Sequence, residues 1–165
     1  MATANPAAQC IRTLTPNLVV RDCAKAIDFY VQALGAQEIM RVGSPEGTIW
    51  HAELKIGDSI FFLNDEAPGM SRPAPSAKDP APVTMWLFVP DADAAHRRAV
   101  EAGARSSMEP VDMFWGDRCA EVADPYGYLW SFATHQKDMT LEEIERAGRK
   151  MAQSMREERR KSAAR

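Results

Sequence analysis

Few side chains in this sequence are equipped for chemistry. Its three histidines are His51, His96 and His135. His51 and Glu53 stand two apart in a strand-like run, which puts both on one face. A His-x-Glu pair can hold a metal ion only with a third ligand. His135, closing another strand-like run, is the spare candidate. The expectation for His51 and Glu53 is instead an ion pair on the outer face, and for His96 a place on a helix facing solvent or a seam. Glu121 is a candidate general base. Arg118 could grip an anionic group bidentately or pair with Asp117 or another neighbour. Trp115, in the loop 112–118, either packs beneath the fold or covers a cavity mouth. Cys23 opens a helical run, where a thiolate is favoured, but no histidine is placed near it as a base. Cys10, Cys23 and Cys119 match no zinc spacing, and free thiols are expected.

The elements that must position these groups repeat. Shifting the chain by 69 aligns residues 15–33 with 84–102. Thr15/Thr84, Leu18/Leu87, Val20/Val89, Asp22/Asp91, Ala26/Ala95, Val31/Val100 and Ala33/Ala102 are then identical. Glu53 and Glu121 also occupy matched places, which suggests a structural role or a cavity-edge acid in one of them. Each copy opens with an apolar strand, Thr15–Val20 or Thr84–Val89. An aspartate suited to N-capping follows, then a helix, then a glycine suited to a left-handed C-cap. Three strands complete each copy. In the first they are Glu38–Val42, Thr48–Ile56 and Ser59–Asp65, with a hairpin signal at Ile56-Gly57-Asp58-Ser59. In the second they are Ser106–Val111, Arg118–Ala123 and Tyr128–Thr134, with a turn at Asp124-Pro125-Tyr126-Gly127.

Five of the 16 residues in 67–82 are proline, so the joint between copies is neither helix nor inner strand and reads as an extended, mobile connection. A last helix begins near Thr140, with Glu143 three residues on. The organisation is thus a flexible start over 1–11, a βαβββ module over 12–66, the linker over 67–82, a second module over 83–136, and a helix with a basic tail over 137–165.

The 165 residues suit one compact fold built of two halves. The net charge of −3 is uneven: residues 141–165 carry eight Lys/Arg and five Glu, a balance of +3, which leaves −6 on the first 140. An acidic body argues against nucleic acid, whose binding rests on neutralised phosphates. No apolar run approaches the roughly 20 residues of a membrane helix. With no signal-peptide pattern at the start, a cytoplasmic location is expected.

These features together resemble a known superfamily. The paired βαβββ pattern, Thr15-Pro16-Asn17-Leu18-Val19-Val20-Arg21-Asp22, Phe114-Trp115-Gly116-Asp117-Arg118, and the run from Asp124-Pro125-Tyr126-Gly127 through Trp130 to His135 are similar to the vicinal oxygen chelate superfamily. That group includes glyoxalase I, bleomycin-resistance proteins and extradiol dioxygenases, and the likeness is to its PhnB-like branch. The resemblance covers roughly residues 12–155. It implies an α+β fold in which two βαβββ modules form a curved mixed sheet around a shared cleft, with the C-terminal helix added. It also implies a homodimer. Metal-dependent members bind a divalent ion through His, Gln or Glu at four equivalent places. Carried over singly, these fall on Thr15, Phe62, Thr84 and Ser131, and none of the four is such a residue. Neither a metal nor another cofactor is therefore expected.

Strand alternation then gives the expected lining. If those four places point inward, so do Asn17, Ile60, Asn64, Trp86, Phe88, Leu129 and Ala133. The candidate ligand-binding residues are Asn17, Phe62, Trp86, Phe88, Trp115, Arg118 and Ser131. No catalytic residue is assigned. Aromatic walls with a few polar groups suit a planar or antibiotic-like small molecule. The leading expectation is a binding or sequestering protein. The alternatives are an enzyme of lyase, isomerase or dioxygenase type in the same cleft, using a group such as Glu121 or His135, and an interaction protein docking through its C-terminal helix.

Overall fold

The computed structural model describes residues 13–69 and 71–163, so Cys10 and the whole of the expected flexible start over 1–11 lie outside the described residues. The first module runs β1 (Asn17–Val20), α1 (Cys23–Leu34), β2 (Gln37–Gly43), β3 (Ile49–Ile56) and β4 (Ser59–Asp65). The second runs β5 (Thr84–Phe88), α2 (Ala92–Glu101), β6 (Arg105–Asp112), β7 (Asp117–Ala123) and β8 (Leu129–His135). A final helix, α3, spans Leu141–Ala163. The two modules form matching four-stranded sheets, ordered β1-β4-β3-β2 and β5-β8-β7-β6. In each, the first and last strands are parallel and the other pairings antiparallel.

Local chemistry explains the boundaries. Asp22 accepts from Lys25 N at 3.3 Å and Asp91 from Ala94 N at 2.9 Å, capping the first turns of α1 and α2. Gly35 closes α1 at φ +68°, in the left-handed region that glycine enters without strain. Thr140 and Glu143 form a reciprocal capping box at the start of α3: Thr140 N donates to Glu143 Oε2 at 2.8 Å, and Glu143 N to Thr140 Oγ1 at 3.3 Å.

One contiguous core draws on both modules, combining Leu18, Ile27, Tyr30 and Phe61 of the first with Val122, Trp130 and Phe132 of the second. The rings of Tyr30, Phe61 and Trp130 meet pairwise at centroid separations of 5.4–5.7 Å across the boundary. Buried Asp124 ties the same place with hydrogen bonds. Its Oδ2 accepts from Tyr30 Oη at 2.8 Å and Trp130 Nε1 at 2.9 Å, and its Oδ1 from the backbone N–H of Tyr126 and Tyr128. Tyr128 Oη meets both Val19 N and Val19 O at 3.0 Å.

The proline-rich joint is a strap bonded to both modules. Arg21 Nη2 donates to Ala74 O at 3.1 Å, and Ala81 N to Gly127 O at 2.9 Å. The far half of α3, from Arg149 to Ser162, is exposed, while Gly148 lies against the ring of Phe114. No helix among the described residues is long and apolar enough to cross a membrane.

Candidate functional site

A cavity of about 530 Å³ opens along the seam between the modules. Its walls come from β1, β3, β4, β5, β8 and the turn before β8 and are mostly apolar: Ile56, Ile60, Phe61, Met85, Trp86, Leu87 and Trp130 are joined by Asn17, Ser59, Thr84 and Tyr128. Two of the candidate residues, Asn17 and Trp86, are in this wall. Phe62 and Ser131 are their immediate lateral neighbours, since the parallel pairings set Asn17 beside Phe62 and Trp86 beside Ser131. Phe88 lies two residues beyond Trp86 on the same face. Trp86 is 47% exposed and Phe88 73%.

Trp115 and Arg118 are outside that wall. Trp115 Nε1 donates to Asp117 Oδ2 at 2.9 Å, and its ring stands edge-on to Phe114. The Arg118 guanidinium is held by Asp93 through both carboxylate oxygens and by Asp112 at 2.8 Å. These two carboxylates raise the Arg118 pKa further and leave the group committed within the protein.

Alternation along single strands missed part of the wall. It assigns Met85, Leu87 and Trp130 to the helix side of the second sheet. Because β1 and β5 are edge strands of their own sheets, the seam admits side chains from both faces. Tyr128 was equally hidden, since its place depends on a hydroxyl reaching Val19 across the module boundary.

One chemical group differs from expectation. Glu53 is not on an outer surface with His51. It is 5% exposed, and its place beside Phe62 puts it on the sheet face opposite α1. His51 Nε2 meets Glu53 Oε1 at 3.2 Å. Cys23 sits at the α1 N-terminus, yet burial, with Asp65 adding to it, pushes its thiol up to about 12, so it is not a thiolate nucleophile at neutral pH. Cys119 is also buried, and both thiols are free. His96 faces β6, where Nε2 meets Ser106 Oγ at 2.9 Å.

The donor set does not fit a metal ion. Phe62 has no lone pair to offer, and the Ser131 hydroxyl donates to Glu121 Oε2 at 3.1 Å. His135 uses both ring nitrogens on carboxylates, Asp117 Oδ1 at 2.9 Å and Asp138 Oδ1 at 3.0 Å. Those contacts raise its pKa, because both nitrogens act as donors only in the imidazolium form. Among the described residues no group of three or more His, Cys, Asp or Glu side chains could hold a metal.

Comparison with known proteins agrees with this architecture. The Mycobacterium tuberculosis protein Rv0887c is 42% identical over 137 residues, covering 81% of either chain. The crystal structure of TioX from Micromonospora sp. ML1 superposes with a TM-score of 0.62 at 26% identity, covering 76% of this chain and 99% of that one. The Arabidopsis thaliana At5g48480 gene product gives 0.61 at 28% identity, covering 74% and 98%. Residues 11–132 match the family model described as the Glyoxalase/Bleomycin resistance protein/Dioxygenase superfamily, and the chain belongs to that superfamily.

Proposed function

We propose that this protein binds a planar, largely apolar small molecule in the seam between its modules, as a binder or sequestering protein. One observation carries the reading: a cavity of about 530 Å³ with aromatic and aliphatic walls and only a few polar groups. That size falls within the roughly 300–1,000 Å³ of small-molecule sites. Trp86 supplies a half-exposed ring for stacking, and Asn17 supplies an orienting amide. Phe62, Phe88 and Ser131 extend the same surface. Catalysis through Glu121 or His135 has less support, since Glu121 receives the Ser131 hydroxyl and His135 is spanned by two aspartates.

The proposal extends to a cytoplasmic homodimer on the PhnB-like branch. Two buried free thiols suit a reducing compartment, and the exposed Trp86 and Phe88 rings suit burial by a second copy. The turn Asp124-Pro125-Tyr126-Gly127 followed by Trp130 supports the branch.

Titration with 1-methylnaphthalene, followed by calorimetry and tryptophan fluorescence, tests the reading. Saturable binding is expected. Trp86→Ala should weaken it about fivefold or more through loss of ring contact, without loss of fold. Absence of saturable binding, or equal binding by Trp86→Ala, would overturn the proposal.

A further inference from the structure

Three residues lie side by side across each sheet, on the face away from the helices. In the first module they are Asn17 of β1, Phe62 of β4 and Glu53 of β3. In the second they are Trp86, Ser131 and Glu121. The rows differ at their carboxylates. Glu121 Oε2 accepts from Ser131 Oγ at 3.1 Å. Phe62 takes that middle place in the first module, and its ring cannot donate. Glu53 is therefore left with His51 on Oε1, while Oε2 is buried without a hydrogen-bond partner.

A buried carboxylate oxygen lacking a donor is destabilising. The sister module shows that a serine in the middle place meets this need, so the fold itself does not require the defect. Lys55 lies two residues along β3, yet it makes no ion pair with Glu53. The surroundings of the orphaned oxygen indicate what would satisfy it. Phe62 is the cross-strand neighbour of Glu53, and the His51 ring stands 4.8 Å from the Phe62 ring. Asn17, at the other end of the row, also lines the intermodular cavity. The row thus runs from Asn17 in the cavity wall, past Phe62, to a buried carboxyl group with one oxygen unpartnered. Reaching Oε2 requires a neighbour to turn aside. The His51 side chain, 38% exposed and tied to Glu53 by one hydrogen bond, has the freedom to do so.

We propose that Glu53 Oε2 is the acceptor for a protonated amine on the ligand, with the Phe62 ring beside the cation, so that the protein selects amine-bearing aromatic molecules. The proposal rests on the reading that the cavity holds an aromatic ligand. An ammonium supplies the missing donor as a charge-assisted hydrogen bond. It also gains the cation–π attraction of Phe62. A neutral aromatic of the same shape would fill the cavity and leave Oε2 as it is.

The test compares 1-naphthylmethylamine with 1-methylnaphthalene by calorimetric titration at neutral pH. The amine should bind about tenfold or more tightly to the unaltered protein. Glu53→Gln should abolish that preference while leaving the affinity for methylnaphthalene within about twofold. Phe62→Ser, which recreates the arrangement of the second module, should abolish the preference although the carboxylate remains. If Glu53→Gln does not fold, as judged by circular dichroism and cooperative melting, Phe62→Ser carries the test. Equal binding of the two probes by the unaltered protein, or an amine preference that survives these substitutions, overturns the proposal and leaves the cavity reading intact. Failure of both probes to bind overturns the cavity reading, and this proposal with it.

Discussion

Asp124 offers the sharpest test of how the site is held together. Its carboxylate is 4% exposed and accepts four hydrogen bonds, two from the backbone of its own turn and two from Tyr30 and Trp130. Tyr30 belongs to α1 in the first module, and Trp130 lines the cavity from the second. The substitution Asp124→Asn keeps the shape and removes one acceptor. If the amide oxygen faces the N–H groups of Tyr126 and Tyr128, its NH₂ faces two donors. The Tyr30 hydroxyl can turn and accept, but the Trp130 indole N–H is then stranded. With one or two buried donors unmet at about 1–3 kcal/mol each, the cost is about 1–6 kcal/mol. Tyr30→Phe removes one donor and leaves three, for about 1 kcal/mol. The double substitution should cost less than the sum, because the two changes remove a shared bond. Urea unfolding with an unchanged slope measures all three. The pH dependence has a definite sign. Burial, the largest influence, raises the Asp124 carboxyl above its ordinary 3.8, against the four donors that favour the anion. The folded state then binds the proton more tightly than the unfolded chain. The contribution is fully present below the unfolded pKa and is lost as pH rises through the folded one. The stability gap between Asp124 and Asp124→Asn should therefore widen as pH falls from neutral towards 4. An Asp124→Asn protein within about 0.5 kcal/mol of the parent would refute the reasoning, and a gap that narrows in acid would refute the dominance of burial.

Three further outcomes follow from the geometry. Gly127 has φ +93°, and a Cβ there would stand 2.6–2.9 Å from the backbone of Ser76. Gly127→Ala should cost about 2–3 kcal/mol and expose the 71–82 strap to proteolysis, read by urea midpoint and cleavage mapping. For His135, hydrogen bonds donated to the Asp117 and Asp138 carboxylates raise the folded pKa, so an NMR titration midpoint should lie above 6.5 and fall in Asp117→Asn. The sign runs with acid: its stabilising contribution is complete below the unfolded pKa and is lost as pH rises through the folded one. At Gly148, a Cβ would stand 3.2 Å from Phe114 Cε2. Gly148→Leu should lift α3 from Phe114, seen as faster amide exchange over 141–148 with the two sheets unchanged.

The duplicated grammar of strand, capping aspartate, helix and glycine was legible because each signal is local, and the elements fall within two residues of the expected spans. What stayed hidden was lateral. Whether Glu53 lies outside or buried depends on its neighbour across β3 and β4, and that neighbour follows from the hairpin. The two-residue turn at Gly57 and Asp58 pairs Ile56 with Ser59. Counting three back on one strand and three forward on the other sets Glu53 against Phe62, so the register was within reach of the turn signal. Asp124 is the harder case. Its run reads as a simple turn, and nothing nearby says that four donors converge on it. The hint lay elsewhere, in Tyr30, a hydroxyl on the apolar stripe of α1 that must find a partner once buried. These two carboxylates carry opposite meanings for the same physical reason. Both are out of water. One is met by four donors and fixes the cavity wall, and the other retains an oxygen that no donor among the described residues meets.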